Sequence, residues 1–174
     1  TGALATVGKA LVFGGCDALL HILSARTGKK TGAVEPGSYI AGSAALEDGR
    51  AYLGHYGKQV MAVDVQTQSV LWRYGNEDEG RSFFSSPALS DGHVLIGSRD
   101  DHLHCIDKAT GQELWRFRTR DHVDSSPVIC RDRVITSSMD GWLYILSLEE
   151  GNEVWSYEIG GSIIGSPAVA GGII

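Results

Sequence analysis

His102 and His104 form an H-x-H pair, directly preceded by Asp100 and Asp101. On a strand, residues two apart share a face, and two imidazoles with nearby carboxylates could hold a divalent cation. When the chain is aligned on itself, however, His104 falls in register with His21, Met61 and Tyr144. A position that accepts His, Met and Tyr is a packing position. Cys16, Cys105 and Cys130 are an odd, dispersed set with no C-x-x-C, which supports neither a zinc knuckle nor a redox pair. Ser85-Ser86 and Ser125-Ser126 could supply a nucleophile, but no base is fixed in register, and recurrence points to backbone hydrogen bonding instead. Gly14-Gly15, Gly160-Gly161 and Gly171-Gly172 lack the helix and the lysine of a phosphate loop. Trp142 opens a strand where the aligned positions carry Leu19, Gln59 and His102.

These side chains are positioned by a repeat. Pro87, Pro127 and Pro167 are 40 residues apart, Trp72 and Trp115 are 43 apart, and Trp115 and Trp155 are 40 apart. The longer spacing is absorbed by the polar run Asn76–Arg81. Each unit reads as four short strands, as in "SPAL", "HVLIGS", "LHCID" and "ELWRFR", rich in β-branched and aromatic residues and bounded by Gly, Asp, Ser or Thr. Asp48-Gly49 and Asp91-Gly92 suit tight hairpins between the first two strands, and Thr27-Gly28 and Thr110-Gly111 do the same between the last two. Helical periodicity is nowhere sustained. Four antiparallel strands per unit of about 40 residues make a propeller blade. We therefore expect an all-β protein, a β-propeller with blades at 1–37, 38–80, 81–121 and 122–161 and the first strand of a fifth at 162–174. Because isolated blades cannot bury both faces, the chain is expected to be a fragment or half of a seven- or eight-bladed ring, and a homodimer could complete it.

Composition narrows the function classes. The chain has 174 residues, 43% hydrophobic, which excludes disorder. Its 23 glycines follow no G-X-Y period, which excludes collagen. No run approaches the ~18 apolar residues of a membrane helix. Fifteen Lys and Arg against 21 Asp and Glu give a net charge of −6, and no basic block is present, so nucleic acid is not an expected partner. The residues after Thr1 carry no charged and apolar leader pattern.

The segment "CIDKATGQELW", Cys105 to Trp115, resembles the tryptophan docking motif, A-x-D-x-x-T-G-x-x-x-W, of the pyrroloquinoline-quinone-type (PQQ-like) β-propeller family. The resemblance recurs in register along the whole chain. Asp107, Thr110, Gly111 and Trp115 match in the third blade. Ala62, Asp64, Thr67 and Trp72 match in the second, where Gln68 replaces the glycine. Gly151 and Trp155 match in the fourth, with Ser147 and Glu150 replacing the Asp and Thr. The first keeps only Thr27 and Gly28, with Ser24 at the Asp position and Gly32 in place of the tryptophan, so its interface with the preceding blade is expected to be weaker. The resemblance implies that Asp64, Trp72, Asp107, Trp115 and Trp155 lock blades together.

The family includes quinoprotein alcohol dehydrogenases, a lipoprotein that assists outer-membrane β-barrel assembly, and sensor domains, and it leans toward periplasmic or extracellular sites in bacteria. Its enzymes place a tryptophan beneath the quinone, often a Cys-Cys ring above it, and a metal held by Glu and Asn. No Cys-Cys pair occurs here, and the asparagines, Asn76 and Asn152, fall in or near turns. We therefore expect a non-catalytic scaffold or sensor that binds a protein or peptide and needs no cofactor. The alternative is part of a quinone-dependent alcohol dehydrogenase, using pyrroloquinoline quinone and calcium, with its site in further blades. The residue before each Ser-Ser-Pro step varies: Ala41, Phe84, Asp124 and Ile164. Variable residues on a repeated frame carry specificity, so Arg81, Phe84, Arg120 and Asp124 are the candidate patch at the channel mouth.

Overall fold

The computed structural model describes residues 5–75, 80–170 and 173–174. Asn76 and most of the expected insertion, and the Gly171-Gly172 pair, lie outside the described residues. The described residues form sixteen strands and no helix. They make four sheets, each an antiparallel meander of four consecutive strands: β1–β4 (Ala5–Val7, Ala10–Gly14, Leu20–Ser24, Lys30–Val34), β5–β8 (Ala45–Glu47, Arg50–Gly54, Val60–Asp64, Ser69–Tyr74), β9–β12 (Ala88–Ser90, His93–Gly97, His102–Asp107, Glu113–Arg118) and β13–β16 (Val128–Cys130, Arg133–Ser137, Trp142–Ser147, Glu153–Glu158). The sheets are propeller blades and do not close on themselves into a barrel. The turn at Asp48-Gly49 has positive φ at both residues, 47° and 77°, which the Asp-Gly pair tolerates. Among the described residues from Pro167 onward, a bridge joins Ala170 and Ile173.

The middle strands of the second and third blades are buried on both faces because a blade covers each side, whereas β2, β3 and β15 of the first and fourth alternate. Alternate residues point to opposite neighbours: Leu53, Met61 and Val63 join the core shared with Val12, Leu20 and Ile22 of the first blade. Tyr52, Val60 and Ala62 join Val94, Ile96 and Ile106 of the third. Leu95, Leu103 and Cys105 then pack on Val134, Tyr144 and Leu146 of the fourth.

Two features tie one blade to the next. At the outer rim, the Trp72 indole donates from Nε1 to the Lys108 carbonyl at 3.1 Å, and Trp115 donates to that of Leu148 at 2.9 Å. Each ring lies on the glycine of the next blade's last turn, and a β-carbon on Gly111 or Gly151 would sit 2.7 or 2.4 Å from the ring. Asp64 and Asp107 each accept two backbone N–H groups of that turn. Hydrogen bonds from Thr67 and Thr110 hold these carboxyls below the ordinary carboxylate range. Trp155 is 46% exposed and stacks on Tyr157 at 5.8 Å. At the inner rim, the second serine of each step accepts from the preceding blade: Ser86 from Ser43 N–H, Ser126 from Ser86 N–H and Ser166 from Ser126 N–H, all at 2.9 Å. The first serine ties the step to its own blade, with Ser85 Oγ accepting from Gly97 N–H at 2.7 Å.

The first blade's missing tryptophan belongs to its interface with the following blade, not the preceding one, since each indole docks forward. That interface is compensated. Gln68 stands where the docking glycine would be, at φ 58°, and its carboxamide lies 2.2–2.3 Å from where a β-carbon on Gly32 would be. Its Nε2 donates to the Thr31 carbonyl at 3.3 Å. Tryptophan-on-glycine has become glycine-under-glutamine. Gly32→Trp and Gln68→Gly should therefore couple favourably, by about 1–3 kcal/mol. The single Gly32→Trp change meets the glutamine, whereas the double variant restores a docked indole and removes a left-handed glutamine. Urea unfolding of the four proteins in the cycle measures this, and additive effects would contradict it.

Candidate functional site

The serine ladder fixes the backbone along the inner rim and leaves the neighbouring side chains free to vary. The second residue after the second strand of a blade is bonded to the connection that enters that same blade. Tyr56 N–H donates to Tyr39 C=O at 2.9 Å, Arg99 N–H to Ser82 at 3.1 Å and Met139 N–H to His122 at 2.9 Å. Three registers of side chains therefore meet beside that rim. They are Cys16, Tyr56, Arg99 and Met139; Tyr39, Ser82 and His122; and the residues before each serine step.

These registers join into one strip across three blades. Tyr39 meets Tyr56 edge-on, with ring centroids 6.5 Å apart, and Tyr56 meets Phe84 at 4.6 Å. The Arg99 guanidinium lies 3.7 Å over the Phe84 ring. It also makes a two-pronged bond to Asp124, with Nε–Oδ1 3.0 Å and Nη2–Oδ2 2.8 Å. The Asp124 hydrogen bond holds the Arg99 guanidinium above its ordinary range. A cavity of about 560 Å³ lies on one side of Tyr56 and Phe84, lined also by Cys16, Tyr39, Ile40 and Ala41. One of about 370 Å³ lies on the other, lined also by Arg81, Ser82, Arg99 and His122. Tyr39 is 56% exposed and Tyr56 45%.

Of the four residues expected at the mouth, Phe84, Asp124 and Arg81 meet this strip or its cavities. Arg120 does not: its guanidinium lies 5.0 Å over Trp142, and its N–H donates to Asp140. Tyr39, Tyr56 and Arg99 were missed because only one register was compared. Reading the second residue after each second strand in the same way finds Tyr56 and Arg99.

The H-x-H pair serves packing. His104 is buried, and both its nitrogens are engaged, Nδ1 with Tyr74 Oη at 2.9 Å and Nε2 with Asp100 at 3.1 Å. Its counterparts repeat the arrangement, His21 with Asp17 at 2.9 Å and Tyr144 with Asp140 at 2.7 Å. In the second blade Gly57 and Met61 replace both partners together. Asp101, Asp121 and His122 gather their ligand atoms within 4.8 Å, with His122 Nδ1 2.9 Å from Asp101. Trp72 and Trp115 are committed to docking, and the three cysteines are free and separate. Burial pushes the Cys105 thiol up to about 12, so it is a packing group.

The family described as "Outer membrane protein assembly factor BamB" matches residues 60–174. No curated protein matches the sequence. Among solved structures, BamB from Moraxella catarrhalis superposes with a TM-score of 0.85 at 16% identity, over 98% of this chain and 56% of that one. The computationally designed Ika8 protein gives 0.83 at 17% identity, over 97% and 52%. A quinohemoprotein alcohol dehydrogenase from Pseudomonas putida HK5 gives 0.79 at 15% identity, over 90% and 34%. The chain spans about half the length of the first two. Identities this low report the fold alone.

Proposed function

Because the chain belongs to the family of the outer membrane protein assembly factor BamB, we propose that it is a non-catalytic scaffold that binds polypeptides in outer membrane protein assembly. The observation that carries this reading is the strip Tyr39–Tyr56–Phe84–Arg99–Asp124. Tyrosine and arginine dominate the energetics of protein interfaces. Here the aromatic rings are exposed on a rigid hydrogen-bonded frame, which lowers the ordering cost of binding. Arg99 is held by Phe84 and Asp124, so it offers a fixed planar face. Among the described residues no helix is long and apolar enough to cross a membrane.

The test places a photocrosslinking phenylalanine analogue at Tyr56 in the full-length protein, in the cells that make it. A discrete light-dependent adduct with a protein is expected, and the same probe at Arg131, in the β13–β14 turn, should not give it. No adduct at Tyr56, or identical adducts at both positions, would overturn the reading. Dye-linked alcohol oxidation by the whole protein, supplied with pyrroloquinoline quinone and calcium, would instead support the dehydrogenase reading. A native mass twice that of the chain would support a ring completed by a second copy.

A further inference from the structure

We propose that the rim groove between the first and second blades is a seat for a tryptophan side chain of a partner polypeptide. The groove is about 700 Å³ and is lined largely by apolar surface, including Ala10, Ile22, Leu23 and Val65, with Gln68 at one end. It is continuous with the blade interface described above, being the stretch of it that lacks an indole. The chain itself reports what fits there. At the two following interfaces the register-equivalent space holds Trp72 and Trp115, each donating Nε1–H to the carbonyl of the residue after the third strand, Lys108 and Leu148. The equivalent residue facing the groove is Val65, which is buried.

The seat cannot be filled from Gly32, which has no side chain, and the approach from Gly32 is occupied by the Gln68 carboxamide. Gln68 is a displaceable plug: it is exposed, and its bond to Thr31 C=O is long at 3.3 Å. The volume lies within the range of whole ligand sites, about 300–1,000 Å³. It admits a tryptophan together with flanking residues, which favours an indole carried on a peptide over a free one.

The probe is the peptide Glu-Leu-Trp-Arg, acetylated and amidated, which copies Glu113–Arg116. Its counterpart has alanine for tryptophan. Binding is read from amide shifts of the isotope-labelled 174-residue chain. The tryptophan peptide should give saturable shifts at Gly32, Val65 and Gln68, and the alanine peptide none. Gln68→Gly should bind about tenfold tighter. Gly32→Trp combined with Gln68→Gly, which supplies its own indole, should not bind. Ala10→Glu, a charge in the groove wall, should also abolish binding, and the spectra report whether each variant is folded. Equal shifts with the alanine peptide, shifts confined to the channel mouth, or no saturable shifts would overturn the proposal. So would free indole binding as tightly as the peptide. The proposal is independent of the mouth, so Tyr56→Ala should leave peptide binding unchanged.

Discussion

Trp115→Ala lowers the unfolding free energy by about 3–4 kcal/mol, near the low end for a large aromatic because the ring is half-buried. Three losses add. The ring leaves a void against Gly151, where it now lies closer than any β-carbon could be accommodated. Apolar contact with the cluster of Leu95, Leu103 and Leu146 is lost. The Leu148 carbonyl also loses its 2.9 Å donor. Trp155→Ala serves as the internal comparison. That ring is 46% exposed, and its removal should cost under about 1 kcal/mol, as is usual for exposed positions. Urea unfolding midpoints of the two variants measure the contrast. Equal losses would show that the indoles act within their own blades rather than between them.

Stability falls as pH is lowered from about 6.5 toward 4, by on the order of 3 kcal/mol from His55 alone. The His55 imidazole is fully buried. Burial first, and then the charge of Arg73, bring its pKa down to about 4. Its Nδ1 accepts from Gly57 N–H at 3.0 Å, and Nε2 has no partner among the described residues. The folded state therefore holds neutral imidazole. The unfolded chain takes up a proton near pH 6.5, so it binds more protons throughout this window. The contribution is complete above the unfolded pKa and is lost as pH falls through the folded one. His55→Ser, which installs the residue found at Ser98 and Ser138, should flatten that part of the profile whatever its effect at pH 7. Parallel profiles for the two proteins between pH 6.5 and 4 would contradict this.

The blades were legible because four units repeat the same spacing of proline, aspartate, glycine and tryptophan, and each mark has a local physical role. Pro87 and Pro127 follow the serine steps, Asp64 and Asp107 cap turns, and Gly111 and Gly151 make room for indoles. Such roles are confined to one unit or to adjacent ones at fixed register. The Gly32–Gln68 exchange was not legible, because it reads as two separate defects until the packing shows the Gln68 carboxamide lying over Gly32. The mouth was half legible. Phe84 and Asp124 stood out as variable residues on a constant frame. Arg99, which bridges them, lies in a different register, and its reach across the blades follows from the ring geometry. Arg120, in the loop after β12, sets its guanidinium 5.0 Å over the Trp142 ring of the following blade, a contact between blades that one repeat unit does not show.

The central claim is that the strip at the channel mouth binds a polypeptide. The most direct test is the affinity of the protein captured through Tyr56 for the wild type, Tyr56→Ala and Arg99→Ala. Tyr56 is 45% exposed, so its removal should move the unfolding midpoint little; Arg99→Ala also strands the mostly buried Asp124 carboxylate, so its binding is read where the variant is shown to be folded. Each should weaken binding at least tenfold, as loss of an interface anchor does. Unchanged affinity in both variants, with the fold intact, would contradict the account.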